Sequence, residues 1–217
     1  MTELMAVYSA QMSYYRTAVQ SEAGVEAVDP VMSSALVEFA ALAASIPYIG
    51  PLQYPLPKTL VESGVALSVG KVLKARGLST EVIGRVIIGA FRESQRGISA
   101  DQHLKDGAMQ FTERYYEIQE SMAAVSHQRR HEGDWVYDFI TGSDTRFDWG
   151  LDFTECGILK LFRAHGMTEL VPYICVLDFL ISELQGTGLQ RCGTLAAGAD
   201  RCDFRYKQGR PVVVPAV

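Results

Sequence analysis

The sequence has 217 residues and no apolar run of about 18 residues, the length a membrane-crossing helix needs. No transmembrane span is expected. Its start, Met1-Thr2-Glu3-Leu4, lacks the basic and apolar regions of a secretory signal, so a cytoplasmic protein with reduced thiols is the expectation. Basic blocks are also missing. The net charge is −5 with a pI near 5.4, and the densest basic cluster is Arg129-Arg130 beside His127 and His131. That balance argues against nucleic acid as a partner, because phosphate binding rests on a basic surface. There is no C-x-x-C pair, P-loop, dinucleotide glycine motif, zinc-protease helix or nucleophile elbow, which removes the commonest nucleotide, metalloprotease and serine-hydrolase readings. Repeats and low-complexity tracts are absent too.

What is present is an ordinary globular composition, 48% hydrophobic and 21% charged, long enough to bury a core without disulfides. The first half reads as helices over 4–20, 29–45, 58–75, 79–94 and 99–126, with Asp29-Pro30 and Ser79-Thr80 as starts and Gly77 and Gly97 as stops. The segment 46–57 carries Pro47, Pro51, Pro55 and Pro57 and reads as an ordered loop. Residues 31–46 are apolar almost all round, which suggests burial or a homo-oligomer interface. Gly64, Gly70, Gly84 and Gly89 fall inside helices, and close packing is the simplest reason for them.

The period changes to two after Gly133. Residues 134–141 and 146–154 alternate around a Gly142-Ser143-Asp144 turn, an antiparallel hairpin. Helices over 155–165 and 168–185 follow, then a second hairpin of 189–197 and 201–207, and a tail over 211–217 that reads as an edge strand or docked arm. The expected class is α+β: an N-terminal helical part followed by a β-β-α-α-β-β antiparallel-sheet part. The expected division is a helical extension over 1–45 and a main domain over 46–210, helical to 132 and carrying sheet and site from 133.

All four cysteines, Cys156, Cys175, Cys192 and Cys202, fall in this last part. Cys156 follows a strand and is expected in the first turn of the next helix, capped by Thr154. Unpaired N–H groups and the helix dipole there favour a thiolate nucleophile. The same position suits a small residue at a tight junction beside Gly157. Cys175 and Asp178, three apart, share a helix face; Asp178 lies in an apolar stretch and reads as general base, substrate anchor or structural cap. Alternation puts Cys202, Phe204 and Tyr206 on one strand face and Asp203 and Arg205, a surface pair, on the other. Arg191 and Cys192 face opposite ways. Convergence of Cys175, Cys192 and Cys202 on zinc stays open, while His127, His131 and His165 read as helix-end residues.

Three segments then become specific: 147–157 (FDWGLDFTECG), 172–178 (PYICVLD), and 191–206 with its CDFRY ending. Together with Pro47-Tyr48-Ile49-Gly50 upstream they resemble the L-2-amino-thiazoline-4-carboxylic acid hydrolase family, over about 46–207. The resemblance implies hydrolytic opening of a cyclic amidine to a carbamoyl-cysteine, small-molecule metabolism without a cofactor. In that chemistry Cys156 would be the nucleophile, Asp178 or Asp152 the base, and Arg191 the carboxylate anchor, with Cys175, Cys202 and Trp149 lining the substrate. The C-terminal layout is also similar to 4-vinyl reductase-type ligand-binding domains, which hold zinc. Cys175 and Cys202 match two of those ligand positions, and Arg191 and Thr194 stand at the other two. A non-catalytic ligand-binding or sensor domain, a non-hydrolytic biosynthetic relative, and an assembly partner are the rival readings.

Overall fold

The computed structural model describes residues 2–24, 28–143 and 145–217. Among them the helices are α1 (Thr2–Glu22), α2 (Val28–Leu42), α3 (Pro55–Ala75), α4 (Thr80–Gln95), α5 (Ala100–Met109), α6 (Glu113–Ser126), α7 (Gly157–Ala164), α8 (Val171–Cys175) and α9 (Leu177–Gln185). The strands are β1 (Val136–Ser143), β2 (Phe147–Glu155) and β3 (Cys202–Tyr206). The chain forms two units, Met1–Gly97 with Ile158–Ile174, and Ile98–Gly157 with Cys175–Val217.

The first unit is built on α3. Leu60, Val61, Val65, Leu67, Val69 and Leu73 are at most 3% exposed, and a helix apolar all round has to be covered all round. α1 and α2 pack on it, and α4 packs on both α1 and α3. The expected 46–57 loop is shorter than its prolines suggested. Pro55 and Pro57 lie in the first turn of α3, where a missing N–H costs nothing. α2 buries one face, through Val31, Met32, Ala35, Phe39 and Leu42, and leaves Val37 72% exposed. The helical glycines mark close approaches: a Cβ on Gly84 would stand 2.1 Å from the Tyr173 ring, and one on Gly70 would stand 2.7 Å from Leu170 Cδ1. No helix among the described residues is long and apolar enough to cross a membrane.

The second unit holds a three-stranded antiparallel sheet in the order β1-β2-β3. Registers Phe153↔Cys202, Leu151↔Phe204 and Trp149↔Tyr206 put these six side chains, with Tyr137 and Phe139 of β1, on one face. α6 packs on β1 and α5 packs on α9. The other face is polar: Asp148, Asp152, Asp203 and Arg205 alternate with the apolar set. The fold class is therefore α+β, with a different order of elements from the expected β-β-α-α-β-β.

Four elements differ from the sequence reading. The helix over 99–126 is two helices, because Thr112 Oγ1 accepts from Tyr115 N–H and starts α6. The helix over 168–185 is a 3-10 turn (Thr168–Leu170), α8 and α9, interrupted at Val176. The strand over 189–197 is reduced to one bridge, Gln190↔Arg205; Cys192 and Gly193 give their N–H groups to Asp203 Oδ1, and Thr194 caps a 3-10 turn closed by Gly198 at φ 85°. The 211–217 tail forms no strand, so of the two expectations for it the edge strand does not hold. Asp144 of the expected first turn lies outside the described residues.

Candidate active site

Cys156 is the single residue linking β2 to α7, so it precedes the helix instead of lying in its first turn. Thr154 does not cap that helix; its Oγ1 donates to Val136 O across the sheet at 3.3 Å. Gly157 makes the junction tight, since a Cβ there would meet Gly133 O at 2.4 Å and the Trp135 ring at 2.8 Å. The side chain of residue 156 is thereby fixed close to the end of the sheet, half-buried.

Arg191 is placed by a series of local bonds. Ser182, buried in α9, accepts from Leu189 N–H at 2.9 Å and from Thr187 Oγ1 at 2.7 Å, which pins the turn after α9. The Gln190 bridge and the two N–H groups held by Asp203 then fix the residues on either side of Arg191. Its guanidinium lies between the rings of Phe179 and Phe204, 4.9 and 4.6 Å from their centroids. Nη1 donates to Asp178 Oδ2 and Nη2 to Cys175 O, both at 2.7 Å. Only 4% of the Arg191 side chain is exposed, against 43% for Asp178. The pair therefore has a sealed cationic end and an open anionic end.

Three cysteines share this corner. Cys175 is influenced electrostatically by Cys156 and Cys202 as well as by Asp178 and Arg191. Burial, aided by the Asp178 charge, pushes the Cys175 thiol up to about 12. Burial also raises Cys202, against the Leu195 N–H that donates to its Sγ. Both are thiols at neutral pH, so neither supplies a resting thiolate. Crowding by protein raises the Asp178 carboxyl, with the Arg191 charge and hydrogen bond pulling the other way. Cys192 is exposed and belongs to the loop held by Asp203.

Residues 64–206 match the family model described as L-2-amino-thiazoline-4-carboxylic acid hydrolase. The chain belongs to this family. No curated protein and no solved structure matches it. The matched span takes in Cys156, Cys175, Asp178, Arg191 and Cys202, and the family is named as a hydrolase of a thiazoline carboxylic acid.

Asp152 and Trp149 are also within the family span, Asp152 on the polar face of the sheet and Trp149 on the face that carries Phe204 and Tyr206. Asp152 is on the polar face, its Oδ1 2.7 Å from Arg205 Nη1 and its Oδ2 3.6 Å from Arg201 Nε. Its carboxylate is already matched by two cations and faces away from the Phe204 side. The expected Asp203–Arg205 surface pair does not form: Asp203 binds the loop backbone, and Arg205 binds Asp152. Trp149 is 1% exposed, stacked on Tyr206 at 4.1 Å and flanked by Tyr115 at 5.2 Å, with its buried Nε1 unpartnered among the described residues.

The donor set does not fit the zinc centre of the vinyl-reductase type. The Arg191 cation occupies the space beside Cys175, and Thr194 Oγ1 is committed to Ala197 N–H. Among the described residues no group of three His, Cys, Asp or Glu side chains could hold a metal ion. A cleft of about 340 Å³ lies at the turn end of the hairpin, lined by Phe111, Tyr116, Phe147 and Asp148; that carboxylate is engaged by Lys207 and Gln208 N–H. In the first unit Ser45 Oγ is 3.1 Å from His165 Nε2, but its hydroxyl donates to Leu42 O at 2.8 Å, so the histidine is not positioned to deprotonate it. Phe179 and Tyr206 were not anticipated as site residues. Alternation had put Tyr206 on the Cys202 face, and only the position of Arg191 turns that face into a site.

Proposed function

We propose that this chain hydrolyses a cyclic amidine of the 2-amino-thiazoline-4-carboxylate class, with Cys156 as nucleophile and Asp178 as base. The observation that carries the reading is the grouping of Cys156, Cys175 and Cys202 around an Asp178–Arg191 pair whose carboxylate end is open. In this reading the Cys156 thiolate adds to the amidine carbon, and the ring bond from that carbon to its leaving heteroatom breaks. The departing atom takes the electron pair and a proton. Asp178 then accepts a proton from water as the water oxygen attacks the same carbon, Cys156 is expelled, and a carbamoyl product remains. Asp178 is preferred to Asp152 because its side chain is 43% exposed and paired with one arginine, whereas two arginines hold Asp152 on the opposite face. Arg191, sealed between two rings, acts on the substrate carboxylate through its charge and holds Asp178 in place.

The test is turnover of L-2-amino-thiazoline-4-carboxylate by the wild type and by Cys156→Ala and Asp178→Asn, with thermal unfolding as the control for folding. Ring opening by the wild type and losses of about 100-fold or more in both variants are expected. Full turnover by Cys156→Ala would remove the nucleophile. Absence of turnover combined with tight binding of the compound would favour the ligand-binding reading instead.

A further inference from the structure

Arg191 leaves a chemical need unmet. A substrate carboxylate has to be received by N–H or O–H donors, yet this guanidinium is 4% exposed, lies over two rings, and already gives one N–H to Asp178 and one to Cys175 O. Another donor has to reach the same corner.

Tyr206 is placed to do so. On β3 it lies two residues beyond Phe204 and on the same face, with ring centroids 6.3 Å apart, and Phe204 carries Arg191. Its ring is stacked on Trp149 at 4.1 Å and 17°, which fixes the direction of the phenol. Its electrostatic neighbours include Asp178 and Arg191, and no hydrogen bond to a described residue is among its interactions. The residue is only half-buried. An aromatic residue buried mainly for packing usually finds its hydroxyl a partner; this one presents an unused donor within electrostatic range of an ion pair.

We infer that Tyr206 receives the substrate carboxylate, donating its hydroxyl hydrogen to it while Asp178 faces the amidine. The inference rests on the substrate class proposed above and adds the residue that reads the acid group. A phenol ionises only at about pH 10, so the hydroxyl is a neutral donor through the neutral range. The contact is a hydrogen bond with no proton transfer, and it improves binding more than it changes the chemical step.

Calorimetric binding to Cys156→Ala protein, with and without Tyr206→Phe, tests this with two probes: L-2-amino-thiazoline-4-carboxylate and the same ring without its carboxylate. Phenylalanine keeps the stack on Trp149, so unfolding temperatures should agree. The expected result is affinity for the acid lowered about tenfold or more by Tyr206→Phe, the loss of a hydrogen bond to a charged group. Affinity for the carboxylate-free ring should be unchanged. Equal losses for both probes, or no loss for either, overturn the inference and leave the proposed hydrolysis standing if wild-type turnover is intact. Failure of the parent to bind the acid overturns both.

Discussion

Asp203 shows how one side chain on the polar face governs a residue on the other. Its Oδ1 accepts from Cys192 N–H at 2.9 Å and Gly193 N–H at 2.7 Å, and these bonds replace the strand ladder that alternation had suggested. The loop that results aims Arg191 between Phe179 and Phe204. Asp203→Ala would leave two donors to find water, at about 1–2 kcal/mol of stability, less than for fully buried groups because Cys192 is exposed. Asp203→Asn keeps a carbonyl acceptor and should cost less. Denaturant midpoints and turnover measured on both variants should give the order wild type, Asn, Ala. Asn and Ala losing equally would mean that the carboxylate charge, not the acceptor geometry, holds the loop.

Helix packing sets the next scale, where the helical glycines make a sharp case. Alanine is intrinsically better than glycine in a helix by about 1 kcal/mol. At Gly84 the added carbon would lie 2.1–2.5 Å from Tyr173 ring atoms near the ring's attachment, which cannot swing aside as a flexible tip can. Gly84→Ala should therefore be destabilising by about 1–3 kcal/mol net. At Gly89 the nearest atom is Ala18 Cβ at 3.2 Å, so Gly89→Ala should be close to neutral. Thermal melts of the two proteins side by side decide the matter, and equal melting temperatures would refute the packing argument. Close packing behind these glycines was legible in the sequence, and so was the first hairpin, because period-two alternation over 136–154 has no helical counterpart. What was not legible has a common cause. Thr112, Asp203 and Gly193 redirect the backbone through single side-chain bonds or one small residue, and periodicity averages over such events. The candidate site was half visible for the same reason. Cys175 and Asp178 do interact, but from the end of α8 and the start of α9 and not from one helix face, and their meeting with Arg191 and Tyr206 depends on a loop whose shape is set by Asp203.

For the whole molecule, the buried tyrosines and thiols set the alkaline limit. Tyr8 and Tyr137 are 3% and 2% exposed, and burial raises each to about 12; Tyr115 is raised to about 12 by burial and the neighbouring Tyr137. Cys175 stands at about 12 as well. In the unfolded chain the phenols lose protons near 10 and the thiol near 8.5. Between those values and about 12 the folded state holds more protons than the unfolded state, so stability must fall as pH rises. The contribution is complete below about pH 8 and is lost progressively to about pH 12, on the order of 1–3 kcal/mol for each well-buried phenol. Acidification acts through other groups. Burial alone would raise Asp148, but Lys207 and the Gln208 N–H outweigh it and lower the carboxyl, so that stability is present at neutral pH and fades as pH falls through the lowered value. Urea midpoints measured from pH 5 to 11 should be level through the neutral range and decline steeply above about pH 9. Tyr137→Phe, which removes a titrating group and leaves the ring against Phe153, should flatten the alkaline limb. If that variant and the wild type decline in parallel, Tyr137 is not held neutral by the fold, and the alkaline limit must lie with the remaining phenols or with the ion pairs of the sheet.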